Sequence, residues 1–321
     1  MNSPSQVRIP QKWQVSEISD LSGKRFLITG GTSGIGLEAA RELARAGGEV
    51  IIAARNPVKA EHVAKTLGKD RVSWIEADFS SLLSVRSAAR KVEKDIDVLI
   101  LNAGVMAIPF ERSEDGIEMQ MAVNHFGQFA FAGLIEDRLK DRVISVSSGA
   151  HRMGEFGTGS IPDIQERANG VFQGFASDGK IKYSPWRVYG SSKLANLLFT
   201  FELERRARLK NRSYSALVVH PGYSDTNLQY VAAQLSGDEK RERAIRFSNK
   251  LIAQSAAMGA LPTLCAATMR DIPGGSFIGP DGLFEMRGYP RFTRARSLAY
   301  DQQLAKNLWH VSEELTTVRW S

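Results

Sequence analysis

The chain has 321 residues, 43% hydrophobic and 24% charged, a balance that excludes a largely disordered protein and suits one large α/β domain. Its single cysteine, Cys265, excludes an intrachain disulfide and fits a reducing compartment. The net charge of +7 points to anionic ligands such as nucleotide phosphates. Nucleic acid is not an expected partner, because Lys and Arg are spread along the chain and no recognition motif accompanies them.

Met1 to Ser22 is polar, contains Pro4 and Pro10, and lacks the basic start and apolar middle of a signal peptide. It is expected to form an N-terminal arm, residues 1–22. No stretch approaches the roughly 20 apolar residues of a membrane span, so no membrane anchor and a cytoplasmic location are expected. Arg25 to Thr29 reads as a first strand and Ile35 to Ala46 as a helix, with Ile35, Ala39, Ala40, Leu43 and Ala44 at helical spacing. Gly47-Gly48 stops that helix. Val50 to Ala54 and Val72 to Ala77 read as strands, Ser81 to Glu93 as helix, and Asp97 to Leu101 as a fourth strand. A long helix is expected over Gly116 to Leu139 and a fifth strand over Val143 to Ser147. Gly149 to Arg187 shows no period, and an irregular stretch of that length inside a domain is usually functional. Val188 to Arg208 reads as helix, Ala216 to His220 as strand, Gln229 to Ala257 and Gly259 to Met269 as helices, and Ser276 to Gly279 as a last strand. A final amphipathic helix is expected around Asp301 to Leu315. Apolar strands alternating with helices imply a doubly wound parallel sheet covered on both faces, with its ligand at the carboxyl ends of the strands.

Thr29-Gly30-Gly31-Thr32-Ser33-Gly34-Ile35-Gly36 joins the first strand to the first helix. Glycines there let a pyrophosphate approach the backbone, and the helix N-terminus offers free N–H groups and a positive dipole end. The spacing differs from G-x-G-x-x-G, so its position between strand and helix carries much of the argument. The second strand ends in Ala53-Ala54-Arg55-Asn56 with no acid for a ribose 2′-hydroxyl. Arg55 suits a 2′-phosphate instead, which predicts NADP(H) in preference to NAD(H).

Tyr189 and Lys193 lie four residues apart and share one helical face. Bringing a tyrosine from a pKa of about 10 to about 7 requires roughly 4 kcal/mol. A nearby lysine cation and a nicotinamide charge are suited to supply it, and a phenol so tuned is an acid–base catalyst. With Asp78 after the third strand, Asn102-Ala103-Gly104 after the fourth, Asn124, Ser147-Ser148 after the fifth, and Pro221-Gly222 with Thr226, the set resembles the short-chain dehydrogenase/reductase family. The resemblance covers about residues 24 to 285.

The resemblance implies a single-domain Rossmann fold over residues 23–285, with a substrate-loop insertion at 149–187 and a C-terminal extension at 286–321. It implies an oxidoreductase interconverting an alcohol with a ketone or aldehyde. Tyr189 would be the general acid–base and Lys193 its partner, also binding the nicotinamide ribose. Ser148 would donate to the substrate oxygen, with Ser147 as the rival because neighbouring strand residues face opposite ways. Asn124 would hold a water linked to Lys193. The cofactor would meet Gly30, Thr32, Ser33, Gly34, Ile35 and Gly36, then Arg55, Asp78 and Phe79, then Asn102, Ala103 and Gly104, and finally Pro221, Gly222 and Thr226.

The long segment after Ser148, together with Ala150-His151 and Ser192 to Asn196, is similar to the branch of retinol dehydrogenases and WW-domain oxidoreductases. Phe156, Phe172, Phe175, Tyr183 and Trp186, with Leu228, Tyr230 and Val231, suggest a lid over an apolar pocket for a lipophilic or aromatic substrate. Their other reading is as anchors of a long loop. His151 and His220 read as structural, and no metal site is expected. The rival functions are a redox-sensing dinucleotide-binding regulator, a sugar-nucleotide epimerase, and a protochlorophyllide-reductase-like double-bond reductase, for which only Cys265 offers a thiol. The family's usual assembly, through helices corresponding to Gly116 to Leu139 and Val188 to Arg208, makes a homodimer or homotetramer an expectation.

Overall fold

A computed structural model of the chain describes residues 7–170, 183–224 and 253–321. Thr226, Phe172, Phe175, Leu228, Tyr230, Val231 and most of the helix expected over Gln229 to Ala257 lie outside the described residues. The elements in chain order are β1 (Arg25–Thr29), α1 (Gly34–Arg45), β2 (Glu49–Ala54), α2 (Pro57–Leu67), β3 (Val72–Glu76), α3 (Leu82–Arg90) and β4 (Ile96–Leu101). Then α4 (Met119–Met121) passes through a π-helical turn (Ala122–Phe126) into α5 (Gly127–Leu134), followed by β5 (Leu139–Val146) and α6 (Ile161–Ala168). The rest is α7 (Pro185–Leu209), β6 (Ser215–Val219), α8 (Ala256–Thr268), β7 (Phe277–Pro280), β8 (Pro290–Phe292) and α9 (Gln302–Thr316).

The strand order is β3-β2-β1-β4-β5-β6-β7-β8, parallel throughout except for the antiparallel edge strand β8. The order reverses between β1 and β4. There the chain leaves adjacent strands toward opposite faces and opens a crevice at their carboxyl ends. The inner strands β1, β2, β4 and β6 are apolar at their centres because helices cover both faces. One face carries α1, α2 and α8 over Ile28, Ile52, Ile100, Ile144 and Val219. The other carries α3, α5 and α7 over Leu27, Leu99, Val143, Ala216 and Val218.

The expected helix over Gly116 to Leu139 is too long at both ends. It begins at Met119, where the Glu118 side chain accepts from the Met121 N–H at 2.8 Å, and α5 ends at Leu134. A single 3₁₀ turn, Glu136–Arg138, then leads into β5, which starts four residues before Val143. Buried Glu136, receiving the Tyr214 hydroxyl at 2.8 Å, ends the run in place of a glycine or proline. Helix α2 was not expected, although Asn56 accepts from the Lys59 N–H at 2.9 Å and Pro57 opens the helix. Its buried side is only Ala60, Val63 and Ala64, too small a stripe to stand out. Helix α6 and strand β8 were likewise unexpected.

Residues 286–321 are built into the molecule. β8 pairs with β7, and α9 packs on α6, α5 and α7. Trp309 stacks on Phe199 with ring centroids 5.8 Å apart, while Trp320 sits 5.7 Å from Phe129. All four rings are buried, and the Arg206 guanidinium lies 4.2 Å from the Trp309 ring centroid. This aromatic cluster covers the outer side of α5 and α7.

Candidate active site

The nucleotide end of the site is a braced turn. At the end of β1, Thr29 Oγ1 accepts the N–H groups of Asn102 (2.8 Å) and Ala103 (2.9 Å) and donates to Gln128 Oε1 at 2.9 Å. The Asn102 side-chain amide donates back to the carbonyls of Thr29 (2.9 Å) and Gly30 (3.2 Å). Asn102 and Ala103 thus tie the end of β4 to the glycine turn. Gly30 has φ +71°, and a Cβ there would lie 2.9 Å from Ala103 Cα. A Cβ on Gly36 would come within 2.5 Å of both Asn102 Nδ2 and the Gly30 carbonyl. Only glycine lets the turn fold this tightly. Ser33 stands at the N-cap of α1, exposed, with no side-chain cap hydrogen bond, so the first turn from Gly34 to Gly36 lacks a side-chain cap and suits an anion. Thr32 and Ile35 flank it, half-buried.

Arg55 follows β2, exposed, with no ion pair among the described residues. Asp78 accepts the Ser80 N–H (2.9 Å) and hydroxyl (2.6 Å), closing its own turn beyond β3. The Phe79 ring is buried edge-on to Phe131, and its carbonyl packs against Gly127. Across the crevice, Gly222 has φ +70° and abuts the Met286 carbonyl, and the Pro221 carbonyl accepts from Gln254 at 2.6 Å. The residues present fit a dinucleotide: a positive helix end, an open backbone and a free guanidinium converge on the switch in strand order.

The second half of the site hangs from α7. Tyr189 and Lys193 are both buried on its inner face, with Lys193 Nζ 5.7 Å from the Tyr189 ring centroid. Lys193 Nζ donates to the Val146 carbonyl at the end of β5 (3.1 Å), a carbonyl shared with Asn196 Nδ2. Ser147 Oγ turns away from the crevice and donates to the Lys193 carbonyl at 2.8 Å. Ser148 faces the other way, near enough to Tyr189 to favour its ionised form. The alternation of the strand therefore assigns the two serines opposite tasks.

Asn124 sits in the π-helical turn. Its Oδ1 accepts from the Val105 N–H (2.7 Å), and its Nδ2 donates to the Val105 carbonyl and to Ser192 Oγ (each 2.9 Å). Both side-chain N–H groups are used within the protein, which fixes the orientation of the amide. Gly104 keeps the channel open between these elements: a Cβ there would lie 3.0 Å from Asn124 Oδ1 and 3.5 Å from Lys193 Nζ. Ser192, one turn from Tyr189, was not singled out from sequence. It joins Asn124 to the Tyr189 carbonyl, and its i, i+3 spacing from Tyr189 was the available signal.

Burial pushes the Tyr189 phenol up to about 12, with the Ser148 hydrogen bond opposing it. Burial also brings Lys193 down to about 8. Burial thus favours the neutral phenol, against which the expected lysine and nicotinamide charges would act.

Of the insertion's described aromatics, Phe156 is buried in the core and the Tyr183 hydroxyl donates to Glu118, so both anchor the segment. Trp186 alone stands at the site, 43% exposed, with its ring centroid 6.0 Å from that of Tyr189. Cys265 lies fully buried in α8 with its thiol pushed up to about 12 by burial. A cleft of about 540 Å³ lined by Phe201, Arg205 and Tyr300 lies elsewhere. Its Phe201 is about 18 Å along α7 from Tyr189. Among the described residues there is no cluster suited to a metal and no helix long and apolar enough to cross a membrane.

Comparison with known proteins agrees with this geometry. The family described as short chain dehydrogenase matches residues 24–160. Human retinol dehydrogenase 13 is 33% identical over 309 residues, covering 92% of this chain and 85% of that protein. Human polyprenol dehydrogenase is 31% identical, covering 91% and 84%. The crystal structure of an uncharacterised protein from Mycobacterium paratuberculosis superposes with a TM-score of 0.78 at 37% identity, over 97% of this chain and 100% of that one. A short chain dehydrogenase from Burkholderia cenocepacia, solved in complex with NADP, shares the fold at 24% identity and a TM-score of 0.59, over 81% of this chain and 96% of that one. The chain belongs to the short-chain dehydrogenase/reductase family of nicotinamide-dinucleotide oxidoreductases, in its retinol dehydrogenase-like branch.

Proposed function

We propose that the protein interconverts an alcohol with a ketone or aldehyde using NADP(H), and that its substrate is lipophilic or aromatic. The observation that carries this reading is the convergence of Tyr189, Lys193 and Ser148 at the carboxyl end of β5, opposite the braced glycine turn. When bound, the dinucleotide supplies the hydride and, once oxidised, a positive charge beside the phenol. Ser148 donates a hydrogen bond to the substrate oxygen and stabilises its developing charge. Tyr189 gives that oxygen its proton, so one hydride and one proton convert a carbonyl into an alcohol. Lys193 holds the ribose and stabilises the phenolate that remains.

Arg55 would grip a 2′-phosphate, the α1 N-terminus the pyrophosphate, and the backbone at Pro221 and Gly222 with Thr226 the nicotinamide amide. The exposed Trp186 beside Tyr189 favours an apolar substrate. So do relatives whose names refer to retinol and polyprenol.

The test is oxidation of NADPH driven by an aromatic aldehyde or a long-chain ketone. Tyr189→Phe should lower kcat at least a hundredfold while leaving NADPH affinity within about twofold. Full activity in that variant contradicts the assignment. Arg55→Ala should weaken NADPH binding about tenfold or more and leave NADH binding unchanged. Equal losses for both cofactors would remove the basis for preferring NADP(H).

Lys193 gives a pH test in the folded protein without substrate. Its value falls from 10.5 to about 8 on burial, so below pH 8 the fold carries the cost of a desolvated ammonium, roughly 3 kcal/mol at most. Between pH 8 and 10.5 the unfolded chain binds this proton and the folded chain does not, so this group's contribution to stability rises with pH. Lys193→Met is therefore expected to raise Tm by several degrees at pH 7, with the gain shrinking to nothing above pH 10.5. The Val146 carbonyl keeps Asn196 as a donor in the variant. A variant no more stable at pH 7 contradicts this account of the buried cation.

A further inference from the structure

Ser148 is the N-cap of a single 3₁₀ turn, Gly149–Met153. Its Oγ accepts from the Ala150 N–H at 3.2 Å, and the hydroxyl lies close enough to Tyr189 to lower its pKa. The geometry of this turn therefore sets where the hydroxyl points. The turn is pressed onto α7 one residue beyond Tyr189. A Cβ on Gly190 would lie 2.8 Å from the Ala150 carbonyl, and one on Gly154 would lie 2.4 Å from the Gly190 carbonyl.

Two side chains hold the turn from the other side. His151 is completely buried, edge-on to Phe277 with ring centroids 5.8 Å apart. Its Nδ1 is 2.7 Å from the Ser148 carbonyl, and its Nε2 receives the Arg296 backbone N–H at 3.4 Å. The Arg296 guanidinium donates from Nη1 to the carbonyls of Arg152 (2.9 Å) and Gly154 (2.8 Å). Arg296 follows β8, 148 residues after Ser148, so a distant part of the chain closes the turn.

The pattern fixes the imidazole's state. A carbonyl only accepts, so Nδ1 carries the proton, and a backbone N–H only donates, so Nε2 is bare. Burial, with Arg152 and His220 nearby and Glu285 opposing, holds His151 down at about 4 and agrees with a neutral ring. An imidazolium would put a second N–H against that of Arg296.

We propose that His151, as the neutral Nδ1–H tautomer, and Arg296 form a clamp that positions Ser148, making the segment after β8 part of the active-site machinery. Both act through Ser148 and are positioning residues. The catalytic part of this inference rests on the function proposed above. The state of the ring does not.

The test has two arms. In the first, the five histidines of the full-length protein are ¹⁵N-labelled and long-range ¹H–¹⁵N spectra are recorded from pH 5 to 8, with His151→Phe assigning the resonance. A persistent Nδ1–H tautomer supports the clamp, and an Nε2–H tautomer or protonation near pH 6.5 overturns it.

The second arm is a double-mutant cycle with Ser148→Ala, read as kcat and KM on an aromatic aldehyde. His151→Phe and Arg296→Ala should each lower kcat about tenfold or more, with NADPH affinity unchanged. Neither should lower it further in the Ser148→Ala background. His151→Asn, which keeps a donor near Nδ1, should recover most of the loss. Additive losses, or losses that follow NADPH affinity, overturn the clamp. If wild-type protein turns over no carbonyl, the proposed function fails while the first arm still decides the tautomer.

Discussion

The buried ammonium of Lys193 is the constraint to which the rest of the site answers. A cation held among apolar side chains is costly unless it is solvated by protein. Here the terminal carbonyl of β5 supplies that solvation, which requires α7 to lie across the end of the strand at one height. The same crossing brings Tyr189 to Ser148 and puts Ser147 under the Lys193 carbonyl, where it pins the helix to the sheet. It also sets Asn124 and Lys193 close against Gly104. The strand ends, the π-helical turn and the first half of α7 thus form one rigid unit. The glycine turn joins it through Asn102 and Thr29.

The local rules were informative wherever chemistry demanded a particular residue type. The glycine turn, the Tyr189–Lys193 spacing and the residues at the strand ends could be read because few residues meet such requirements. The alternation of a strand left Ser147 and Ser148 as rivals, and their packing resolves it. What was not legible depends on long-range partners. The end of α5 is set by Glu136 meeting Tyr214, a contact 78 residues apart that leaves no local stop signal. Helix α2 did carry a cap and a proline, but its buried alanines hid the period. Phe156 and Tyr183 looked like substrate contacts because composition cannot tell an aromatic facing the core from one facing a pocket. Spacing likewise places the lysine near Tyr189 but says nothing of how deeply both are buried.

The C-terminal residues change what the catalytic fold is. Trp309 and Trp320 close over Phe129 and Phe199 on the outer side of α5 and α7. The segment between β8 and α9 reaches the turn after Ser148 through Arg296. These contacts join the far end of the chain both to the helix that carries Tyr189 and to the loop that carries its serine. The end of the chain thereby bears on the geometry of the turn after Ser148.

The central claim is that this crevice carries a direct hydride transfer, and the most direct measurement follows the hydrogen itself. NADPH deuterated at the transferring C4 position would be incubated with the protein and an aromatic aldehyde in ordinary water, and the alcohol analysed by mass spectrometry. The account predicts one deuterium, on the carbinol carbon, in every product molecule. Alcohol formed without the label would contradict it.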